Sequence, residues 1–289
     1  MHNIRIVERQ HIFHFSLFTF PFLIFLLSAC GGKSEEQIRR EALAADSAAL
    51  KIATMPTLDC LPLYVAQMYG LADSMGLDLR LVPFQAHMDQ DTAMLRGRVE
   101  GMFTDSVRAW RMERVLHKKL RRVAKTPLTW QLLTAGRSRV KELKQIDDKL
   151  VAMTRHSSTD MLTRWAADSA HIDTMKLYRI QVNNINVRYD MLTTGMVDVA
   201  WLPEPLASVA RKAGCRVLLD SKGRLEPGVL VVSDSIMRDS TRRRQVEVMT
   251  ALYNRGVDSI AKRGLRHYSS LISQYCNVAP EQLSALPKE

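Results

Sequence analysis

The sequence predicts an α/β protein with two lobes, in which mostly parallel sheets are flanked by helices. Two observations lead to this prediction. From Leu50 onward, apolar segments of strand length alternate with segments of helical spacing, a pattern typical of parallel sheets covered on both faces. One unit of helix, glycine and strand also occurs twice, which indicates two lobes of similar construction.

The predicted elements follow one another along the chain. Strands are predicted in the segments LKIATM, LDLRLVPF, VEGMFTD, KLVAMT, KLYRIQV, VDVAWL, CRVLLD and GVLVVS. Helices are predicted in LPLYVAQMYG, DQDTAMLRGR, SSTDMLTRWAADSA, VRYDMLTTG and PLASVARKAG, and they dominate from Thr241 to the end. The basic stretch RAWRMERVLHKKLRR, residues 108–122, is interpreted as the solvated face of a helix.

The repeated unit is a helix that ends at a glycine and leads through valine and an acid into a buried strand. Its copies are residues 93–105 and residues 191–203, which begin 98 positions apart, with Gly97 and Gly195 at the helix ends. Parallel α/β lobes bind ligands outside the carboxyl ends of their strands. Two such lobes therefore predict a ligand cleft between them that can close about a hinge.

Residues 1–29 have the features of an export signal. Arg5 and Arg9 precede an apolar run, and small residues stand before Cys30. The following GGKS is not a phosphate-binding loop, because position 27 holds leucine where that pattern requires glycine. The stretch LSAC resembles the lipobox of bacterial lipoproteins, which implies cleavage before Cys30 and lipid attachment to it. With cleavage and lipid attachment, residues 30–49 form a lipidated tether. The alternative is an uncleaved anchor helix.

Charge and cysteine content narrow the function classes. The formal net charge is +11, but export argues against a nucleic-acid partner, and a helix face near an anionic membrane explains the basic residues. The other cysteines, at positions 60, 215 and 276, are odd in number and show no metal-ligand spacing. These three cysteines could form one disulfide or remain as three buried thiols, and the sequence favours buried thiols. We predict no metal site and no cofactor.

Three stretches carry a resemblance to a known family: MPTLDCLPLYVAQMYGLADSMGLDLRLVPF, AMLRGRVEGMFTDS and DMLTTGMVDVAWLPEPLASVARKAG. Their order and spacing, over residues 50–279, resemble type II periplasmic solute-binding proteins of the nitrate, sulfonate, taurine and thiamine-precursor family. The resemblance implies the two-lobed type II fold, with lobe one formed by residues 50–126 and 229–289 and lobe two by residues 127–228. It also implies a monomeric, non-enzymatic receptor that delivers a small polar solute to the permease of an ABC importer from the periplasmic side of the cell envelope.

Candidate ligand-binding residues stand where strands lead into helices: Thr57, Asp59, Phe84, Asp105, Ser106, Ser157, Ser158, Thr159, Asn183 and Glu204. The start of the helix at Ser157 fits a capping box with Asp160 and offers N–H groups to a ligand, although a plain cap explains it too. A plain turn would likewise explain Asn183.

The charges around this cleft indicate the class of solute. Asp59, Asp105 and Glu204 disfavour a simple anion unless cations offset them, and the candidates for that role are Arg155, His156 and Arg188. A solute with N–H donors, such as an aminopyrimidine or an amino-sulfonate, fits better. The aromatic residues that could stack on a flat ring, or simply pack in the core, are Tyr64, Phe84, Trp130 and Trp201.

Two other function classes compete with the receptor. An enzyme of the pyrimidine-synthase branch resembles the chain, but the cysteine-rich motif of that branch is absent from the sequence. A lipoprotein whose cleft serves only for docking is the other alternative, and an empty or apolar cleft would favour it.

Overall fold

A computed structural model of the chain describes residues 33–224 and 228–286. The predicted signal and Cys30 lie outside the described residues. The strands, in chain order, are β1 (Leu50–Thr54), β2 (Leu79–Pro83), β3 (Gly101–Thr104), β4 (Leu120–Thr126), β5 (Trp130–Thr134), β6 (Leu150–Met153), β7 (Tyr178–Gln181), β8 (Val199–Pro203), β9 (Arg216–Asp220) and β10 (Gly228–Ser233). The helices are α1 (Glu35–Ala48), α2 (Leu61–Met68), α3 (Leu71–Ser74), α4 (His87–Leu95), α5 (Ser106–Arg114), α6 (Ser158–Ser169), α7 (Ile185–Thr194), α8 (Leu206–Lys212), α9 (Ser240–Arg263) and α10 (Ser269–Cys276).

The chain divides after Ala48, and residue 49 onward forms one compact unit. The segment before the division holds α1, which is exposed along its whole length. Its side chains form exposed ion pairs, Arg40 with Glu36 at 2.6 Å and Lys33 with Glu41 at 2.5 Å, and such pairs stabilise a helix only slightly. None of the helices within residues 33–224 and 228–286 is both long enough and apolar enough to span a membrane.

The compact unit contains two five-stranded sheets of the same design. The first has the order β2-β1-β3-β10-β4 and the second the order β7-β6-β8-β5-β9. In each sheet the first three strands are parallel, the fourth is antiparallel to both neighbours, and four of five strands therefore run in one direction. We call the first sheet with α2–α5, α9 and α10 the first lobe, and the second sheet with α6–α8 the second lobe. The predicted fold class is confirmed.

The repeated unit occupies the same place in both lobes. Gly97 and Gly195 follow α4 and α7 with φ of +68° and +78°, a left-handed conformation that glycine adopts without strain. The acid three residues later holds the neighbouring strand: Glu100 Oε2 accepts the Lys51 N–H at 2.8 Å. In the second lobe, the carboxylate that follows Gly195 accepts the N–H of the first residue of β6 at 2.9 Å. The sequence repeat thus reflects a structural role of the acid at the amino ends of the parallel strands.

The prediction of a helix over residues 108–122 is wrong beyond Arg114. The chain turns there and returns as β4, the edge strand of the first sheet. Arg121, Arg122 and Lys125 of β4 are exposed. Charged residues are common on edge strands because they discourage pairing with other chains, and they gave this strand the composition of a helix surface. Strand β5 was not predicted either.

Candidate ligand cleft

The carboxyl ends of the parallel strands in the two lobes face each other and touch. The loop after β1 meets the loop after β8, where the Leu58 N–H donates to the Glu204 carbonyl oxygen at 3.1 Å. The loop after β2 meets the loop after β7, where Ala86 and Asn184 form an antiparallel bridge. The loop after β3 meets the loop after β6 in a third contact. The lobes are therefore in contact along the whole row of strand ends.

The third contact is made by Asp105, which lies just after β3 and is 2% exposed. Its Oδ1 accepts the Arg108 N–H at 3.0 Å and so caps α5 within its own lobe. The same oxygen accepts the N–H and the hydroxyl of Ser158, at 3.1 and 2.8 Å, across the cleft. A carboxylate of the first lobe thus sits at the start of α6, where the helix dipole favours negative charge.

Several polar atoms at this junction are buried without a hydrogen-bond partner among the described residues. They are His87 Nδ1, Thr104 Oγ1, Asp105 Oδ2 and Trp130 Nε1, and each side chain is at most 3% exposed. The His87 and Trp130 rings lie 6.0 Å apart. An unpaired buried polar group costs about 1–3 kcal/mol, so a group of them at the strand ends makes this junction the candidate ligand site.

Arg188 supplies a positive charge beside these atoms. It is fully buried, and its guanidinium carbon lies 5.9 Å from the centroid of the Trp130 ring. It donates to the Trp201 carbonyl at 2.8 Å, to Thr154 Oγ1 at 2.6 Å and to the Val182 carbonyl at 2.6 Å. No carboxylate pairs with it within residues 33–224 and 228–286. Burial lowers the pKa of Arg188 to about 9, which still leaves it charged at neutral pH.

A second arginine, Arg108, forms a buried ion pair with Asp91 beside the cleft. Burial raises the pKa of Asp91, although its bond to Arg108 acts in the opposite direction. Burial, together with the charges of Arg108 and Arg188, holds the pKa of His87 well below its usual value. His87 is therefore uncharged and can accept or donate through its free ring nitrogen.

The polar side-chain atoms of four residues predicted to bind ligand are hydrogen-bonded within their own lobe: Thr57, Asp59, Ser157 and Thr159. Thr57 and Thr126 donate to the two oxygens of Asp59, at 2.5 and 3.0 Å, and burial raises the pKa of Asp59. The hydroxyl of Ser157 caps α6 through Thr159 and donates to the Thr154 carbonyl at 2.7 Å. These bonds stabilise the loops that line the cleft; a direct contact with solute remains a prediction.

The carboxylate of Glu204 also bonds within the second lobe. Its oxygens accept the Ser208 N–H at 3.0 Å and the Arg211 guanidinium at 3.2 Å. Asn183 instead bridges the lobes, because its amide nitrogen donates to the sulfur of Met88 at 3.2 Å. A role in solute binding remains a prediction for Asn183, whereas the bonds of Glu204 indicate that its carboxylate stabilises its own lobe.

The other candidates divide between the core and the surface. Trp201 is fully buried and its indole N–H donates to Thr163 at 2.9 Å, and Tyr64 stacks on Tyr275 with 4.4 Å between the ring centroids. Phe84 and Ser106 are half-buried, and Arg155 and His156 are exposed. Of the four predicted aromatic residues, Trp130 is the one that stands among the unpartnered polar atoms.

Sequence reasoning missed His87, Thr104 and the Arg108–Asp91 pair. His87 was not among the predicted site residues. Its position offered a signal, because it begins a helix directly after a strand, at the same end of the sheet as Asp105. Thr104 is the last residue of β3 and offered the same signal.

Two open cavities flank the lobe junction. One of about 410 Å³ lies between α5 and α6 against Trp110 and Met161, and one of about 470 Å³ lies beside Gln85 and Asn186. Both are large enough for a small ligand. The unpartnered polar atoms are buried and do not line either cavity, so we place the candidate site between the lobes rather than in these surface cavities.

Comparison with known proteins supports the fold. No protein-family model matches the chain, and no curated protein matches it. Among solved structures, the alkanesulfonate-binding protein SsuA of Xanthomonas axonopodis pv. citri, bound to MOPS, is similar with a TM-score of 0.71 and 17% identity over 83% of this chain and 85% of that one. The periplasmic aliphatic sulphonate binding protein SsuA of Escherichia coli has a TM-score of 0.65 and 16% identity, over 83% and 84%.

The periplasmic nitrate-binding protein NrtA of Synechocystis PCC 6803 has a TM-score of 0.69 and 11% identity, over 81% of this chain and 68% of that one. At these identities the similarity establishes the fold. The chain has the two-lobed fold of the type II periplasmic solute-binding proteins.

Proposed function

We propose that this protein is an exported receptor that binds a small polar solute between its lobes and delivers it to the permease of an ABC importer. The observation that supports it most is the set of buried polar atoms without partners where the strand ends of the lobes meet. A site built only for stability would pair these atoms, because each one left unpaired costs free energy. The proteins of similar structure include sulfonate-binding and nitrate-binding proteins.

In this proposal the contacts with solute are made by Trp130, His87 and Thr104. The indole N–H of Trp130 donates to an acceptor on the solute, and the face of its ring packs against the solute. His87 Nδ1 and Thr104 Oγ1 each supply one further hydrogen bond. The solute is of the aminopyrimidine or sulfonate type, and the lobes separate to admit it and close on it.

The experiment compares Trp130→Phe with Trp110→Phe. The first variant keeps a ring in the cleft but removes the indole N–H, whereas the second changes a tryptophan that is 55% exposed. The solute is identified by denaturing the purified domain, residues 33–289, and recording the mass spectrum of the released small molecules. Calorimetry with that solute should show binding weakened roughly tenfold in Trp130→Phe and unchanged in Trp110→Phe. Equal affinity in the two variants would refute this site.

Absence of any released small molecule would favour the docking lipoprotein over the receptor. Chemical conversion of the solute by the purified domain would favour the enzyme instead. The same preparation therefore discriminates among the three function classes.

The proposal includes lipid attachment at Cys30, which would tether the receptor to the membrane near its permease. Replacing Cys30 by serine in the full chain should leave the precursor at its uncleaved mass and remove the protein from the lipid-labelled fraction. A Cys60→Ser chain serves as the control and should be processed normally. Unchanged processing and labelling of Cys30→Ser would refute the lipid anchor, while solute binding by the soluble domain would be unaffected.

A further inference from the structure

We propose that Asp105 sets the class of solute: its carboxylate occupies the anion position at the start of α6, so the cleft selects solutes that carry an amine or other N–H donor over simple anions. This inference deepens the proposed function and depends on it. Asp105 acts as a specificity-determining residue that contacts solute through Oδ2.

The first argument is the geometry at α6. A free helix start attracts an anion because its N–H groups are unpaired and the dipole is positive there. In this protein the first N–H of the helix, that of Ser158, is taken by Asp105 Oδ1 at 3.1 Å, and the Ser158 hydroxyl by the same oxygen at 2.8 Å. The next N–H, that of Thr159, is taken by the Ser157 hydroxyl at 3.1 Å. A simple anion such as nitrate would have to displace the protein's own carboxylate from this helix start.

The second argument is the free oxygen of the same carboxylate. Asp105 Oδ2 is buried and has no hydrogen-bond partner among the described residues. The oxygens of an ionised carboxylate accept hydrogen bonds but cannot donate them. The group that satisfies it must therefore be a donor, such as an ammonium or the exocyclic amine of a heterocycle.

The third argument is the balance of buried charge. Three buried carboxylates lie at the strand ends that form the cleft, those of Asp59, Asp91 and Asp105, against two buried guanidinium groups, those of Arg108 and Arg188. A monoanion would therefore add a buried negative charge without a matching cation, whereas a neutral or zwitterionic solute would not.

The test uses two pairs of probes that differ in a single amine. Taurine and ethanesulfonate share the sulfonate, and 4-aminopyrimidine and pyrimidine share the ring. Residues 33–289 are freed of bound solute by unfolding and dialysis, refolded, and titrated with each probe and with nitrate by calorimetry. The variants are Asp105→Asn, in which the amide oxygen still accepts from Ser158, and Asp239→Asn. Asp239 is an exposed aspartate that caps α9 by accepting the Arg242 N–H at 2.8 Å, so it controls for loss of a capping charge.

We expect the wild type to bind the amine-bearing member of at least one pair roughly tenfold or more tightly than its partner. Asp105→Asn should reduce that preference to less than about threefold, and Asp239→Asn should retain it. Binding of nitrate or ethanesulfonate by the wild type as tightly as the amines would overturn the inference and leave the receptor function standing. A preference that survives in Asp105→Asn would overturn it as well.

Failure of the proposed function has a different outcome. A wild type that binds no probe and releases no small molecule on denaturation would overturn both proposals. If a solute is released but no probe binds, the chemistry of that solute decides: an N–H donor that contacts the Asp105 carboxylate supports the inference, and a solute without one overturns it.

Discussion

Replacing Asp198 by alanine tests whether the repeated acid holds the parallel strands in register. Asp198 Oδ2 accepts the Leu150 N–H at 2.9 Å, at the start of β6. A hydrogen bond to a charged group contributes about 1.5–3 kcal/mol, and the half-buried position of Asp198 reduces this to about 1–2 kcal/mol. One kcal/mol shifts the Tm of a domain of this size by about 2–4 °C. Asp198→Ala should therefore lower the Tm by about 2–8 °C.

The assay is thermal unfolding followed by circular dichroism, on variants of residues 33–289. Asp190→Ala, an exposed acid of the same lobe, is the control. Asp198→Asn should fall between wild type and Asp198→Ala, because the amide oxygen accepts the bond without charge. Glu100→Ala should cost at least as much as Asp198→Ala, because Glu100 also pairs with Arg242 at 3.1 Å. A Tm of Asp198→Ala equal to that of the control would refute the role assigned to the acid.

Three further predictions concern buried or capping groups. Burial raises the pKa of the Cys60 and Cys276 thiols, so a thiol reagent at pH 8 should label them only after unfolding; rapid labelling of the native domain would contradict their burial. Since burial and two nearby guanidinium groups lower the pKa of His87, its contribution to stability is complete above pH 6.5 and is lost as the pH falls below it, by up to about 1.4 kcal/mol per pH unit. His87→Gln should flatten that part of the curve of unfolding free energy against pH, and an unchanged slope would contradict the burial of a neutral imidazole. Because the Glu204 carboxylate accepts the Ser208 N–H in the first turn of α8 and pairs with Arg211, Glu204→Gln should lower the Tm while solute affinity holds; a tenfold loss of affinity with unchanged Tm would instead place Glu204 in contact with solute.

The fold could be predicted because its signals are local. Each parallel strand is a short apolar run bounded by a helix, and the strand ends follow from those boundaries. The two glycines after α4 and α7 stand out because both adopt positive φ at the same point of the unit. Strands β4 and β5 escaped prediction for a physical reason: β4 is an edge strand with exposed charge, and β5 directly follows it without an intervening helix.

The site was less predictable because it is built from positions far apart in sequence. Alternation of strands and helices predicted Asp105 and Ser158 between a strand and the helix that follows it, and they lie between β3 and α5 and at the start of α6, after β6. It could not show that Asp59 and Glu204 direct their carboxylates to partners in their own lobes. Nor could it bring Trp130 together with His87, because the two residues lie in different lobes and their 6.0 Å ring distance depends on how the lobes face each other.

The order of strands also determines when each lobe can be completed as the chain is synthesised. The second sheet is built from one uninterrupted stretch, β5 to β9, and so all its strands are present once residue 220 has emerged. The first sheet lacks the strand between β3 and β4 until β10 arrives, because β10 begins at Gly228, 102 residues after β4 ends at Thr126. Contacts that join segments so distant form slowly. The lobe that is begun first is therefore finished last.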